Sequence, residues 1–150
     1  MTSPKIMTSI FTVRIMIFLD TGAFLARFIQ KDQYHLHAVK TWEQIEKDSE
    51  KCATSNFVLD ETLTLLGRRA GYQFAYERAR NIYASKALLI LRPDQNDEIA
   101  ALDYFSKYGD HAISFTDCIS FTLMDRMRIK RVFTFDKHFS WAGYNTICEI

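Results

Sequence analysis

The sequence predicts an α/β fold, a mainly parallel central sheet flanked by helices. Two observations carry this reading. Short apolar segments rich in β-branched and large residues recur along the chain, and helical patterns separate them. The first such segment, Val13 to Leu19, shows little alternation, as a strand covered on both faces does. No repeat, low-complexity stretch or Pro/Gly-rich linker divides the 150 residues, so a single domain over 1–150 is expected, with residues 1–9 as a loose tail.

The elements follow in order. After the first strand, Thr21 to Gln30 places Phe24, Leu25 and Phe28 on one helical side. Leu36 to Glu50 repeats the pattern with Val39, Trp42 and Ile45 inward. Asn56 is the expected N-cap of a helix from Phe57 to about Arg69, stopped near Gly71. Tyr72 to Ala84 reads as a further helix. Ala87 to Leu91 reads as a second strand, ended by Arg92-Pro93. Asp94 caps a helix reaching Tyr108, with Gly109 as its stop. Ser114 or Thr116 opens a helix through Met127. Arg131 to Phe135 is a third strand, and Tyr144 to Glu149 a fourth.

Composition narrows the class. Hydrophobic residues make up 48%, enough for a real core, and net charge is +1, so no global basic field advertises nucleic acid. Three cysteines, Cys52, Cys118 and Cys148, lie far apart with no CxxC pair. A disulfide framework and a zinc site are therefore not indicated, and a reducing cytoplasm is expected. The apolar run Ile10 to Leu19 is interrupted by Thr12 and Arg14 and is too short to span a bilayer.

Four carboxylates stand out because each meets an apolar segment: Asp20, Glu61, Asp117 and Asp136. In a parallel sheet, sites form at the carboxyl ends of the strands. Asp20 and Asp136 stand at two such ends, and Glu61 and Asp117 in early turns of two helices. Taken singly, each is readable as a cap, a turn acid or an exposed residue. Gathered together at about 5 Å, each charged pair would repel by roughly 3 kcal/mol at an effective dielectric near ~20. Several pairs would rival a whole domain's stability of about 5–15 kcal/mol. Protonation or a bound cation must relieve that, and oxygen ligands select Mg²⁺ or Mn²⁺. Such a centre suits phosphodiester hydrolysis. Thr21, Thr116 and Thr134 stand close to three of the acids in sequence and are expected to orient water or carboxylate oxygens.

The order Asp20-Thr21, then Glu61 within Asn56-Phe57-Val58-Leu59-Asp60-Glu61-Thr62, then Thr116-Asp117, then Thr134-Phe135-Asp136-Lys137-His138-Phe139 resembles the PIN-domain ribonucleases. It looks most like the VapC-type toxins of toxin–antitoxin pairs. The last two acids are nineteen residues apart, and the likeness runs from Val13 to the C-terminus. The resemblance implies a PIN-like three-layer α/β/α sandwich and a Mg²⁺- or Mn²⁺-dependent endoribonuclease. It also implies a homodimer, and a small antitoxin that inserts a segment into the acidic groove. By position, Asp20, Glu61, Asp117 and Asp136 match the family's four acids. Gly22 stands where Ser or Asn is common and Cys118 where Ala is common; neither removes a carboxylate.

Further residues are weighed beside this centre. Arg68 and Arg69 (with Arg78 and Arg80), and Arg126 and Arg128 (with Lys130 and Arg131), form two basic clusters that could hold RNA phosphates; a solvated, balanced face is the plain alternative. Tyr72, Phe74, Tyr76 and Tyr83 are expected in core or dimer packing, with base stacking as the alternative. His35 and His37 point to different helical faces and are expected at the surface. His138 lies near enough to Asp136 in sequence to touch substrate. Other functional readings remain open: a housekeeping RNA-processing nuclease of the same fold, an aspartyl phosphatase, or a non-catalytic binding module. The phosphatase wants a second Asp two residues after Asp20, where Gly22 stands.

Overall fold

The computed structural model describes residues 15–148. Five parallel strands form one sheet in the order β3-β2-β1-β4-β5. They are β1 (Ile17–Leu19), β2 (Cys52–Ser55), β3 (Leu88–Leu91), β4 (Arg131–Phe133) and β5 (Asn145–Thr146). Seven helices among the described residues join and cover them: α1 (Thr21–Phe28), α2 (His35–Lys47), α3 (Asn56–Ala70), α4 (Tyr72–Ala84), α5 (Gln95–Lys107), α6 (Phe115–Met127) and α7 (Lys137–Trp141). The result is the parallel sheet flanked by helices that the alternation of elements predicts, in the three-layer α/β/α form that the resemblance implies.

The strands are shorter than their apolar runs suggest, for local reasons. Residues 1–14, including the expected tail and the start of the first run, lie outside the described residues. β4 ends at Phe133 because Thr134 leaves the ladder to bond with Asp20 and Asp136. β2 has no signal in the sequence: Cys-Ala-Thr-Ser is neither large nor β-branched throughout, yet all four residues are buried between β1 and β3. Its last residue, Ser55, rather than Asn56, caps α3, its Oγ accepting from Val58 N at 3.1 Å. α7 is also absent from the sequence reading; Asp136 caps it.

The core is largely aromatic. Phe121 on α6 meets the rings of Tyr104, Tyr108, Phe139 and Tyr144. Asp125, one turn further along α6, accepts from both the Tyr104 and Tyr144 hydroxyls, the latter at 2.6 Å, and so ties α5 and the β5 entry to α6. On the other face, Trp42 packs against Phe24 and Phe133 and donates its indole N–H to the Ala23 carbonyl at 3.0 Å. α5 opens with a reciprocal cap between Asp94 and Asp97. Two sequence expectations are corrected. His35 is half-buried, bonded to the Ala26 carbonyl at 2.7 Å. Tyr72, Tyr76 and Tyr83 lie outside the core, exposed, because α4 turns Ala75 and Ile82 inward instead; their exposure leaves the dimer-packing expectation standing. No described helix is long and apolar enough to cross a membrane.

Phe121→Ala removes the ring on which four others converge. It should lower the unfolding free energy by about 3–5 kcal/mol, read as a fall in the urea midpoint.

Candidate active site

The site begins with strand register. Leu19 of β1 lies opposite Phe133 of β4, so the next residues, Asp20 and Thr134, emerge side by side at the carboxyl edge. Asp20 N donates to the Phe133 carbonyl at 3.1 Å. Thr134 Oγ1 donates to Asp20 Oδ2 at 2.7 Å and accepts from Asp136 N at 3.0 Å. One hydroxyl thus links two of the four acids. This edge is the sheet's switch point, where the chain leaves β1 for β2 on one side and later returns to β4 on the other.

The other two acids arrive on helices. α3 leaves directly from the end of β2 and carries half-buried Glu61 in its second turn. α6 is capped by Ser114, whose Oγ accepts from Asp117 N at 3.0 Å, and this fixes buried Asp117 in the first turn. All four acids line one open cleft of about 400 Å³, together with Thr21, Gly22, Tyr34, Arg69, Phe135 and His138.

The cleft is electrostatically costly. Burial pushes Asp20 up to about 6, further raised by Asp136 and Glu61, and partly offset by the hydrogen bonds from Thr134 and the Thr21 backbone. Burial likewise pushes Asp117 up to about 9, with Asp20, Asp136 and Glu61 all adding repulsion. Without a counter-charge, Asp117 holds its proton at neutral pH.

His138 answers part of this cost. Its Nδ1 lies 2.8 Å from Asp136 Oδ1 and 3.6 Å from Asp117 Oδ2. The Nδ1 contact to Asp136 is close but poorly directed for a hydrogen bond. Its Nε2 faces the His111 carbonyl at 2.9 Å. Burial opposes the charged imidazole, but the His111 carbonyl and Asp136 outweigh burial and raise its pKa.

These residues fit a divalent cation. One donor atom each from Asp117, Asp136 and His138 lie within 4.8 Å of one another. A ring N–H given to a backbone carbonyl, as Nε2 gives to His111, is the usual support of a ligating histidine. Thr21 Oγ1 is buried in the same cleft without a protein partner. The tightest donor group is therefore two acids and a histidine rather than four acids. His138 enters it because the cap of α7 folds the chain back on Asp136, with His138 N donating to Asp136 Oδ1 at 2.9 Å. The only sequence signal was the two-residue offset.

The remaining candidates separate. Thr134 touches two acids and Thr21 lines the cleft. Thr116 does not line it; the capping role belongs to Ser114. Arg69 lines the cleft, and Arg68 is exposed beside it. Arg126 and Arg128 are not brought to the acids. They end α6, and at 1.5 Å per residue Arg128 stands roughly 16 Å along the helix from Asp117. Arg126 is instead paired with Asp97 at 3.0 Å.

Comparison with known proteins finds relatives over most of the chain. The PIN domain family model matches residues 17–143. The 23S rRNA-specific endonuclease VapC20 of Mycobacterium tuberculosis is 33% identical over 129 residues, covering 86% of this chain and 95% of its own length. A VapC ribonuclease of Archaeoglobus fulgidus is 29% identical over 124 residues, 81% of this chain and 78% of the relative. The crystal structure of Mycobacterium tuberculosis VapC20, a Sarcin-Ricin loop cleaving toxin, superposes with a TM-score of 0.76 at 31% identity, over 85% of this chain and 95% of that one. DNA-bound VapBC from Salmonella typhimurium shares the fold, with a TM-score of 0.64 at 12% identity, over 89% of this chain and 97% of that one.

The raised carboxyl pKa values set a pH dependence. The folded protein holds protons that the unfolded chain releases between pH 3.8 and about 6 at Asp20, and up to about 9 at Asp117. Stability without metal should therefore fall as pH rises through that window. In EDTA, the melting temperature should drop from pH 5 to pH 8.5. Asp117→Asn should flatten the slope and, at pH 8, exceed the unsubstituted protein by at least the roughly 1.4 kcal/mol that one pKa unit represents.

Proposed function

This chain belongs to the PIN-domain family, and we propose from that premise that it is a divalent-metal-dependent endoribonuclease, the toxin of a toxin–antitoxin pair. The observation that carries the reading is the convergence of Asp20, Glu61, Asp117 and Asp136 in one cleft at the switch point of the sheet. The ribonuclease relatives, matched over most of the chain, support RNA as the substrate.

Asp117, Asp136 and His138 would hold Mg²⁺ or Mn²⁺, with Asp20 and Glu61 in the same cleft. The imidazole in this set favours Mn²⁺ more than an all-oxygen set would. When bound, the ion supplies Lewis-acid polarisation of a phosphoryl oxygen and balances the acidic charge. The protein's own groups do the positioning. Thr134 fixes one oxygen of Asp20 and leaves the other for the cleft. Glu61, less buried than Asp20 or Asp117, is placed to take a proton from water entering from solvent. Arg69, on the same wall of α3, binds a substrate phosphate against the repulsion of the acids.

The reading carries two protein partners. A groove of about 520 Å³ with an apolar floor of Phe24, Phe28, Trp42, Ile45, Ile82 and Leu88 lies between α1, α2 and α4, rimmed by Arg27 and Arg78. It suits an amphipathic segment of a small antitoxin. Ile99, Leu102 and Phe105 form an exposed apolar face on α5, continued by the Phe105–Phe115–Phe57 ring contacts. This face suits a second copy of the chain, giving a homodimer. A cytoplasmic location accompanies the reading, in keeping with three free, buried cysteines.

Cleavage of an RNA substrate should require Mn²⁺ or Mg²⁺ and cease in EDTA. Asp20→Asn and Asp117→Asn should each reduce it at least about a hundredfold while leaving the circular dichroism unchanged; full activity in either variant sinks the assignment. Leu102→Lys should convert a dimer to a monomer by size-exclusion chromatography with light scattering.

A further inference from the structure

An exposed tryptophan that the chemistry above does not use stands beside the acidic cleft. Trp141 closes α7 and is 54% exposed. Its ring is nonetheless held. It lies tilted against His111, with ring centroids 5.1 Å apart, and meets His138 edge-on at 5.4 Å. His138 is itself 2.8 Å from Asp136. A single imidazole therefore separates the indole from the acids. Phe135, the residue before Asp136, carries a second aromatic feature: it stacks nearly flat on Tyr34, centroids 4.6 Å apart, and both line the cleft.

We infer that Trp141, braced by His111, is a stacking shelf for an unpaired nucleobase next to the phosphodiester held in the cleft. The inference deepens the ribonuclease reading and rests on it. Single exposed aromatics are ordinary on protein surfaces, so the surroundings decide. A protein-docking site would set the indole within a contiguous apolar patch. Here its exposed chain neighbours are Lys137, Ser140 and Gly143, and the ring it leans on, His111, is exposed as well. A lone π-face among polar and cationic groups matches what an unstacked base and its phosphate present. Position matters as much. His138 touches Trp141 on one side and lies near Asp117 and Asp136 on the other, so a base flanking a phosphate held at these acids through a bound cation would be within reach of the indole. The cleft would then take RNA whose bases at the cleavage point are splayed from their partners rather than paired.

The test uses intrinsic fluorescence and kinetics together. Trp42 is the second tryptophan and is buried, so RNA-dependent changes in emission report Trp141. In the cleavage-blocked Asp117→Asn protein, a single-stranded ten-nucleotide RNA should quench the emission, and the quench should vanish when Trp141→Phe is added. In the active protein, Trp141→Ala should raise KM about tenfold with kcat nearly unchanged, and Trp141→Phe should recover most of the loss. An RNA with an abasic site beside the cleaved bond should be indifferent to Trp141→Ala. Absence of any quench overturns the shelf, whether or not the protein cleaves RNA. An unchanged KM in Trp141→Ala overturns it as well, including when that variant instead alters the oligomeric state. A protein that shows the quench but cleaves no RNA with either metal would keep the shelf and lose the nuclease reading.

Discussion

The in-register pairing of β1 with β4 is the contact on which the site depends. Leu19 opposite Phe133 forces Asp20 and Thr134 out of the sheet together, and the Thr134 hydroxyl then binds both Asp20 and the backbone of Asp136. A slip of one residue in β4 would turn its side chains to the opposite face and carry the Thr134 hydroxyl away from Asp20. The pairing is held by burial: Ile17, Phe18, Leu19, Val132 and Phe133 are all almost wholly inaccessible. Apolar packing of about 25 cal/mol per Å² is non-directional, but here it fixes the register that gathers charge.

The gathered charge is a deliberate imbalance. Asp20 and Asp117 are buried, and their pKa values lie well above the carboxylate range because burial and mutual repulsion act together. His138 stands beside these acids, 2.8 Å from Asp136, and the cap of α7 holds it there. Groups under such strain cluster where function is performed. The fold tolerates the strain because it is confined to one edge. Away from the cleft, buried acids are satisfied, as with Asp97, which closes the α5 cap and accepts the Arg126 guanidinium. Exposed Asp125 is also engaged, by two tyrosine hydroxyls.

Much of this was legible in the sequence. Amphipathic segments such as α2 declare themselves because 3.6-residue periodicity is a local property. The four acids were legible because each breaks an apolar run, and burial near an acid is costly enough to be noticed. β2 was not legible, since a central strand of small residues gets its stability from its neighbours on both sides. That Tyr72, Tyr76 and Tyr83 of α4 lie outside the core was not legible, because an aromatic stripe does not reveal which face the next helix will cover.

By itself the sequence determined the α/β alternation, the order of the acids and their positions at strand ends and helix starts, all set by neighbours within a few residues. Only the tertiary structure decided what those acids touch. That Glu61 shares a cleft with Asp117, that His138 joins Asp117 and Asp136, that Arg69 reaches the cleft and Arg126 does not, and that Trp141 stands beside it follow from strand order and helix direction. Those are fixed by long-range packing of the whole core, which no local pattern encodes.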